Sequence, residues 1–286
     1  MEIKKLPVEY WPEGLHEIPQ PPKELYIQGD FPDEDLTFLC VVGSRKFTTY
    51  GKDVCEKLIN GLRGYPVAIV SGLAMGIDTI AHKTAMAAKL RTIVFPGSGL
   101  DKKVIFPQVN VPLVKNILDA GGCLISEFVP DTKAAYWTFP MRNRLMAGIS
   151  KAVLVIEAEE KSGTLITARL ATEYNKDVLA VPGSIYSPNS IGTNRLIRQG
   201  ATPITSVEDL LDALGFKTEK DEATQQKLFA DLSPEEMKII EILREPMPRD
   251  ELIRELNMSV AEANTLLTVM EIKKLIKEEV GEIRLY

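Results

Sequence analysis

The stretch VAIVSGLAMGIDTIAHKTAMAAKLRTIVF, residues 67–95, decides the fold. It begins with an apolar run, continues through a turn that contains two glycines, and follows with a segment of helical period. A second apolar run at 91–95 closes it. Short apolar runs separated by a helix are typical of parallel strands that are covered on both faces. The stretch therefore predicts one strand–helix–strand unit of a parallel sheet.

The same alternation continues on both sides of this unit. Segments of helical period, such as 50–63, separate further strand-like runs, which are FLCVV (38–42), CLI (123–125), AVLVIEA (152–158) and DVLAVP (177–182). Repeated strand–helix units of this kind build doubly wound sheets. We therefore predict an α/β fold with an extended Rossmann-like, mostly parallel sheet.

Composition divides the chain into four segments. Residues 1–36 are rich in proline and predict an extended N-terminal arm packed on the core, and residues 37–215 predict the Rossmann-like domain. Residues 216–227 are polar and charged, which is typical of a linker. Residues 228–286 hold three short helical segments followed by two strand-like runs around a glycine. This last pattern predicts a small C-terminal winged-helix domain.

Charge and cysteine content limit the function classes. The net charge of the 286-residue chain is −6, so any site for a polyanion must be a local patch or use backbone amides. Cys40, Cys55 and Cys123 lie far apart in apolar or helical surroundings, which predicts buried thiols in a reducing compartment. No apolar run approaches the ~18 residues of a membrane span. We expect a cytoplasmic protein with no membrane association.

Glycine and hydroxyl residues follow most of the predicted strands. Carboxyl ends of parallel strands share one sheet edge, where backbone amides and helix N-termini bind anions. One such loop is weak evidence, because glycine at a strand–helix turn is often needed only for steric reasons. Four on one edge predict a phosphate-binding site formed by Gly43, Ser44, Ser71, Gly72, Gly97, Ser98, Gly99, Ser162, Gly163 and Thr164, with Lys161 as a weaker candidate.

Arginines and aromatic residues sharpen this interpretation. Arg45 follows the first strand directly, and FPMRNR at 139–144 places Arg142, Asn143 and Arg144 near a helix N-terminus. Arginine forks there would bind phosphates bidentately. Residues two apart lie about 200° from each other around a helix, so one of the two arginines is expected to be a structural ion-pair partner. Phe139, and less surely Tyr136 and Trp137, would either stack on bases or pack in the core.

Signals for catalysis and for metals are poor. Asp78 and His82 share a helix face, a pairing that more often anchors a helix than it provides a general base. Glu127 and Glu157 end strands but have no partners at a metal-ligand spacing. The sequence contains no Walker lysine motif and no G-x-G-x-x-G fingerprint. We expect no catalytic residue, no metal and no cofactor.

Taken in order, the motifs resemble those of the DNA-processing protein A family, also called DprA or Smf. The resemblance spans roughly residues 20–210, about two thirds of the chain, and the final module is similar to the winged helix that some members carry. The matching blocks are LYIQG (25–29), VGSR (42–45), SGLAMGID (71–78) with Ala81-His82, GSGLD (97–101), SE (126–127), FPMRNR (139–144), VIEA (155–158), SGTLITA (162–168), VPG (181–183) and GA (200–201).

The resemblance implies a non-catalytic protein that binds single-stranded DNA and forms a homodimer. It would protect incoming strands during natural transformation and help to load the RecA recombinase onto them. The residues alone indicate a phosphate-binding edge with stacking aromatics, whereas RecA and transformation follow only from the resemblance.

Two other functions are alternatives. The first is a Rossmann enzyme of the nucleoside-monophosphate phosphoribohydrolase type, but Thr167 occupies the place of the glutamate that serves hydrolysis there. The second is a winged-helix regulator of duplex DNA. Residues 225–286 hold 9 Lys and Arg against 13 Asp and Glu, and the expected recognition helix has no arginine. This module is therefore poorly suited to duplex DNA, and a protein contact or self-association suits it better.

Overall fold

The computed structural model describes residues 1–32, 35–216, 232–243, 247–256, 258–273, 275–279 and 281–285. The chain forms two compact units, Met1–Lys217 and Thr218–Tyr286, each of which is described by itself. Most of the predicted linker, from 217 to 227, lies outside the described residues.

A nine-stranded sheet is the centre of the first unit. Its strands are β1 (Ile3–Lys5), β2 (Tyr26–Gly29), β3 (Thr37–Val42), β4 (Val67–Ser71), β5 (Arg91–Val94), β6 (Cys123–Ser126), β7 (Ala152–Val155), β8 (Asp177–Ala180) and β9 (Thr202–Pro203). They lie side by side in the order β1-β2-β6-β5-β4-β3-β7-β8-β9, and the seven strands from β3 to β9 are parallel to one another. The predicted Rossmann-like, mostly parallel sheet is confirmed.

Helices cover both faces of this sheet. They are α1 (Gly14–Glu17), α2 (Thr49–Gly61), α3 (Ile77–Ala87), α4 (Val111–Asp119), α5 (Thr138–Ile149), α6 (Thr164–Glu173), α7 (Ile191–Arg198) and α8 (Val207–Ala213). Successive strand residues, such as Leu39 and Cys40, are fully buried in different apolar cores on opposite faces of the sheet. All three cysteines are buried free thiols, as predicted, and burial raises the pKa of each.

The N-terminal segment differs from a simple arm. It adds β1 and β2 to the sheet, with β2 antiparallel to both β1 and β6. Leu15 and Leu25 are fully buried, so the segment is also part of the core. Each strand is only three or four residues long and lies among prolines, so neither one carries a recognisable strand pattern.

The order of the strands fixes where a ligand can bind. From β3 the chain builds β4, β5 and β6 in one direction, then returns to the other side of β3 to place β7, β8 and β9. The loops after β3 and β7 therefore diverge above neighbouring strands. Such a reversal point opens a crevice at the carboxyl ends of the strands.

The second unit contains three helices and a small sheet. The helices are α9 (Pro234–Ile242), α10 (Arg249–Leu256) and α11 (Val260–Ile272), and the strands are β10 (Met247–Pro248), β11 (Ile276–Glu279) and β12 (Glu282–Leu285) in the order β10-β12-β11. A capping box of Ser233 and Glu236 begins α9. This arrangement agrees with the predicted winged helix. In the described parts of both units, no helix is long and apolar enough to span a bilayer.

Candidate nucleic-acid interface

A cleft of about 460 Å³ opens at the carboxyl ends of β3 and β7, where the strand order reverses. Four elements form its walls: the loop after β3, the start of α3, the N-terminal half of α5 and the N-terminal end of α6. The Thr164 hydroxyl donates a hydrogen bond of 3.1 Å to the Gly43 carbonyl, which ties the first loop to α6. The predicted residues that line this cleft together are Gly43, Ser44, Arg45, Phe139, Arg142, Asn143, Ser162, Gly163 and Thr164.

The loop after β3 is held by its backbone and presents one arginine. The buried Ser44 hydroxyl accepts a hydrogen bond from the Lys46 amide at 3.0 Å. Gly76, at φ +89°, lies so close to the Ser44 and Arg45 backbone that a β-carbon there would overlap it. Arg45 itself is exposed, and the described residues give it no salt bridge. Its guanidinium is therefore available to an anion.

Helix α6 offers its N-terminal end to the same cleft. The Ser162 hydroxyl accepts from the Thr164 amide at 3.2 Å, which sets the turn that begins the helix. Nothing lies within 4 Å of a β-carbon built on Gly163, so this end of the helix is open. Amides of a first helical turn have no partners within the helix and carry partial positive charge. Lys161 is exposed just before this turn but does not line the cleft.

Arg142 and Arg144 point in different directions from α5. Arg142 lines the cleft but is buried; it donates to the Phe95 carbonyl and, at 2.9 Å, to the Asn143 side chain. Arg144 forms a buried ion pair with Glu127 and donates to the Gln20 carbonyl at 2.6 Å. The helical angle separates the two side chains, and the position of Glu127 decides which one is sealed in an ion pair. Arg144 is the structural ion-pair partner, and its burial against Glu127 places it away from the predicted DNA contacts.

A buried carboxylate lies beside Arg142. Asp78, in the first turn of α3, accepts from the Ala74 amide at 3.3 Å and also lines the cleft. Burial raises its pKa to about 6, although the charges of Arg142 and Arg45 and this hydrogen bond act in the opposite direction. A β-carbon on Gly72 would overlap the Arg142 guanidinium, so glycine is required there for Arg142 to fit.

His82 anchors a loop rather than pairing with Asp78. One ring nitrogen lies 2.6 Å from the Gly72 carbonyl and the other lies 2.6 Å from the Thr92 hydroxyl. A carbonyl can only accept, so Nε2 carries the proton and Nδ1 accepts from Thr92. Burial lowers the pKa of His82 to about 4, which keeps the ring neutral. The anchoring role expected for this residue is present, with different partners.

The other predicted phosphate ligands do not line the cleft. Ser71 donates to the Val41 carbonyl at 2.6 Å and Ser98 donates to the Gly99 carbonyl at 2.9 Å, and both side chains are buried. Gly97 packs against the Phe139 ring, and Gly99 packs against the backbone of residues 129 and 130. These positions shape the edge of the sheet, because their hydroxyls and backbone are already engaged within the protein.

Aromatic side chains surround the mouth of the cleft. Phe139 is half-buried, with the Arg45 guanidinium 5.8 Å from its ring centre and the Phe106 ring 6.1 Å away. Tyr136 is 97% exposed and also lines the cleft, whereas Trp137 packs edge-on against Phe128 at 5.6 Å. Of the predicted stacking residues, Phe139 and Tyr136 are therefore placed to meet a ligand in the cleft.

Sequence reasoning missed Lys46, Glu159 and Phe106. Lys46 and Glu159 line the cleft, and Phe106 lines a smaller apolar recess beside it together with Arg45 and Phe139. The position of Lys46 directly after Arg45 was the available signal. Nothing in the sequence places Phe106, which comes from a loop distant along the chain.

Glu157 has a structural role at the start of α2. Glu157 is buried and accepts from the Thr48 amide at 2.9 Å and the Thr48 hydroxyl at 2.5 Å, at the start of α2. A carboxylate at a helix N-terminus compensates its partial positive charge. Within the described residues, no group of three or more His, Cys, Asp or Glu side chains could hold a metal ion.

Comparison with known proteins identifies relatives of both units. The model of the family described as DNA recombination-mediator protein A matches residues 6–215, and that of the DprA winged helix domain matches 218–282. Protein Smf of Escherichia coli is 39% identical over 208 residues, and DNA processing protein DprA of Bacillus subtilis is 39% identical over 220. These alignments cover 73% and 74% of this chain, but 55% and 71% of the relatives. The chain thus matches little more than half the length of the Escherichia coli protein.

Two solved structures share the fold at significant identity. DNA processing protein A of Streptococcus pneumoniae is 36% identical with a TM-score of 0.69, and the match covers 74% of each chain. DNA processing protein A of Helicobacter pylori, whose structure describes a single-stranded DNA binding mode, is 31% identical with a TM-score of 0.67. That match covers 74% of this chain and 95% of the other. From its motifs, its fold and these matches, the chain belongs to the DNA recombination-mediator protein A family.

Proposed function

We propose that this protein is a recombination mediator that binds single-stranded DNA in the cleft between β3 and β7. It would protect incoming strands during natural transformation and help to load the RecA recombinase onto them. Membership of the recombination-mediator family supports this role. The relative from Helicobacter pylori, described with a single-stranded DNA binding mode, supports the choice of ligand.

One observation carries the proposal: Arg45 lies over the Phe139 ring at the mouth of a cleft that the positive N-terminal end of α6 also lines. The guanidinium would neutralise a phosphate, and the first turn of α6 would accept another. The aromatic face would stack on a base, which every base allows, so binding would not depend on sequence. A duplex keeps its bases paired inside and cannot offer them to Phe139.

The direct test is fluorescence anisotropy with labelled oligo-dT and a matched duplex, at about 50 and 200 mM salt. We expect tight, salt-sensitive binding of the single strand and much weaker binding of the duplex. Equal affinity for both would contradict the proposal, because stacking on unpaired bases would then contribute nothing.

We further propose that the cleft binds without catalysis. Thr167 is buried where the related nucleotide hydrolases have their glutamate. The cleft nevertheless contains two carboxylates, because Asp78 and Glu159 line it. We expect no release of base from nucleoside monophosphates. Release that disappears in Glu159→Gln would establish the enzyme instead.

The winged-helix unit is proposed as a protein-contact module rather than a reader of duplex DNA. The exposed residues of α11 include no cation; they are Val260, Ala261, Glu262, Thr265, Thr268, Val269 and Ile272. Groove-reading helices require cations that contact phosphates beside the base-reading residues. Stoichiometric binding of this unit to duplex DNA at physiological salt would refute the assignment.

The remaining partners and the compartment rest on the family resemblance. We propose a cytoplasmic homodimer that contacts RecA. Light scattering of the purified protein tests the dimer, and co-purification with RecA on single-stranded DNA tests the contact with RecA. A monomer at micromolar concentration would contradict the proposed homodimer.

A further inference from the structure

A second aromatic surface lies on the same sheet edge, outside the cleft. The loop after β8 carries Ile185 and Tyr186 at its tip, where their side chains are 79% and 90% exposed. Since β8 is parallel to β7, and β7 to β3, this loop leaves the sheet at the same carboxyl edge as the Arg45 loop. Neither side chain belongs to the cleft lining.

Hydrogen bonds hold this loop in a defined shape. The Ser184 hydroxyl accepts from the Tyr186 amide at 3.2 Å, and the Ser184 carbonyl accepts from the Ser187 amide at 3.0 Å. At its base, Gly183 and the Asn194 side chain exchange two hydrogen bonds of 3.2 and 2.9 Å. An ordered turn with an exposed aromatic tip loses little conformational entropy when it binds, which is typical of a recognition surface.

The Asn189 side chain connects this turn to the cleft. The Asn189 side chain donates to the Lys46 carbonyl at 2.9 Å, and the Lys46 side chain lines the cleft. The Tyr50 hydroxyl, which donates to the Pro182 carbonyl at 2.7 Å, fixes the start of the same turn against α2. A strand that contacts both Phe139 and Tyr186 would therefore pass Arg45 and Lys46, two exposed cations on one loop.

Charge around the turn favours an anionic partner. The chain contains 40 acidic residues, yet none occurs between Asp177 and Glu208, a stretch that includes the turn. The exposed cations that adjoin the turn are Arg45 and Lys46 of the loop after β3, to which the Asn189 side chain is bonded. An exposed aromatic tip next to the cations Arg45 and Lys46 is suited to a single-stranded polyanion. The nearby carboxylates are those of Glu159 and Glu160, which follow Ala158, a backbone partner of Asn189.

We infer that Tyr186, with Ile185 beside it, is a second stacking platform for the same DNA strand, and that Lys46 contacts the phosphates between the two platforms. This inference rests on the proposed function and extends the binding site along the carboxyl edge beyond the cleft. A strand that reaches only Phe139 uses one platform, whereas a longer strand uses both.

Length dependence of binding tests the second platform. The full chain is titrated into labelled oligo-dT of about four and about sixteen nucleotides, the range of site sizes seen for single-strand binders. Tyr186→Ala should weaken binding of the longer strand about tenfold and leave the shorter strand unchanged, since one stacked base typically contributes a factor of this size. Tyr186→Phe, which keeps the ring, should bind both strands as the unsubstituted protein does.

Controls separate this inference from the proposed function. Tyr10→Ala removes another exposed tyrosine, in the N-terminal segment, and should change neither affinity. Arg45→Ala should weaken both strands. Failure of the unsubstituted protein to bind either strand would refute the proposed function and this inference together. Unchanged binding of the longer strand by the double variant Ile185→Ala, Tyr186→Ala would overturn the inference alone.

Two further measurements give the same inference independent readouts. Ultraviolet crosslinking of the longer oligo-dT should attach DNA to the peptide that contains Tyr186, in addition to a peptide of the cleft. A molecular mass in light scattering that falls in Tyr186→Ala, with DNA affinity unchanged, would show instead that the turn is a contact between copies of the chain.

Discussion

At the scale of single residues, Arg142 and Arg144 of one helix have different surroundings. Both are buried on α5, but Arg142 borders the cleft whereas Arg144 is sealed against Glu127. The motif alone predicted that the two side chains diverge and left open which one faces the ligand. Only the position of Glu127, contributed by the end of β6, decides the question.

Arg144→Ala should therefore affect stability rather than DNA binding. Removing one partner leaves the Glu127 carboxylate buried without its cation, which typically costs about 3–5 kcal/mol of unfolding free energy. Urea denaturation measures this loss, and oligo-dT titration of the folded variant should give the unsubstituted affinity. A variant of normal stability that binds DNA weakly would contradict the structural assignment.

Asp78 predicts a pH dependence of DNA affinity. Its pKa of about 6 means that it carries a negative charge at pH 7.5 and is largely neutral at pH 5.5. Because this charge borders the cleft, we expect affinity for oligo-dT to rise as the pH falls through 6. Asp78→Asn should bind more tightly at pH 7.5 and show a flatter pH profile, measured by anisotropy.

The same residue makes stability depend on pH in the same direction as affinity. Its pKa is raised from 3.8 to about 6 on folding, so its favourable contribution is present below pH 3.8 and is lost as the pH rises through 6. His82 does not interfere with the binding profile, because its pKa of about 4 keeps it neutral between pH 5.5 and 7.5. An identical pH slope in Asp78→Asn would assign the effect to another group.

At the scale of elements, the sequence predicts where the strands end but not whether the residues that follow them face a ligand. The apolar runs located β3 to β8 within a few residues, because buried parallel strands are apolar on both faces. The runs at 91–95 and 152–158 extend past their strands, since Phe95 and Ile156 remain buried after strand pairing has ended. Serine and glycine follow these strands whether they face a ligand or, like Ser71 and Ser98, bond internally.

The start of α2 gives a prediction at this scale. Glu157 reaches across from β7 to accept from the Thr48 amide and hydroxyl, so it fixes this helix to the central sheet. Glu157→Ala should lower the unfolding free energy by about 2 kcal/mol, because two partly buried donors of Thr48 lose their charged acceptor. Thermal unfolding measures the change. Unaltered stability would mean that water replaces the carboxylate at no cost.

At the scale of the whole molecule, the two units have separate apolar cores. The first unit packs its cores on the two faces of the sheet, and the second packs Leu252, Leu267 and Ile283 into its own. A separate core is the physical requirement for independent folding. The shift in composition near residue 216 predicted this division, whereas the addition of β1 and β2 to the sheet had no such signal.

A fragment of residues 1–216 should consequently fold and retain the affinity of the full chain for oligo-dT. Every residue placed in the cleft belongs to this unit. Circular dichroism establishes that the fragment is folded, and anisotropy compares its affinity. A folded fragment with at least tenfold weaker binding would show that the winged-helix unit takes part in holding the strand.

The central claim is that phosphates of a single strand are neutralised in the cleft at Arg45. The most direct measurement is the dependence of oligo-dT affinity on salt for the unsubstituted protein and for Arg45→Ala, with Lys161→Ala as an exposed cation just outside the cleft lining. We predict weaker binding in Arg45→Ala and a slope of log affinity against log salt that is shallower by about 0.7, as expected for one phosphate contact on a single strand. An unchanged slope and affinity in a folded Arg45→Ala variant would contradict the claim and place the DNA elsewhere on the protein.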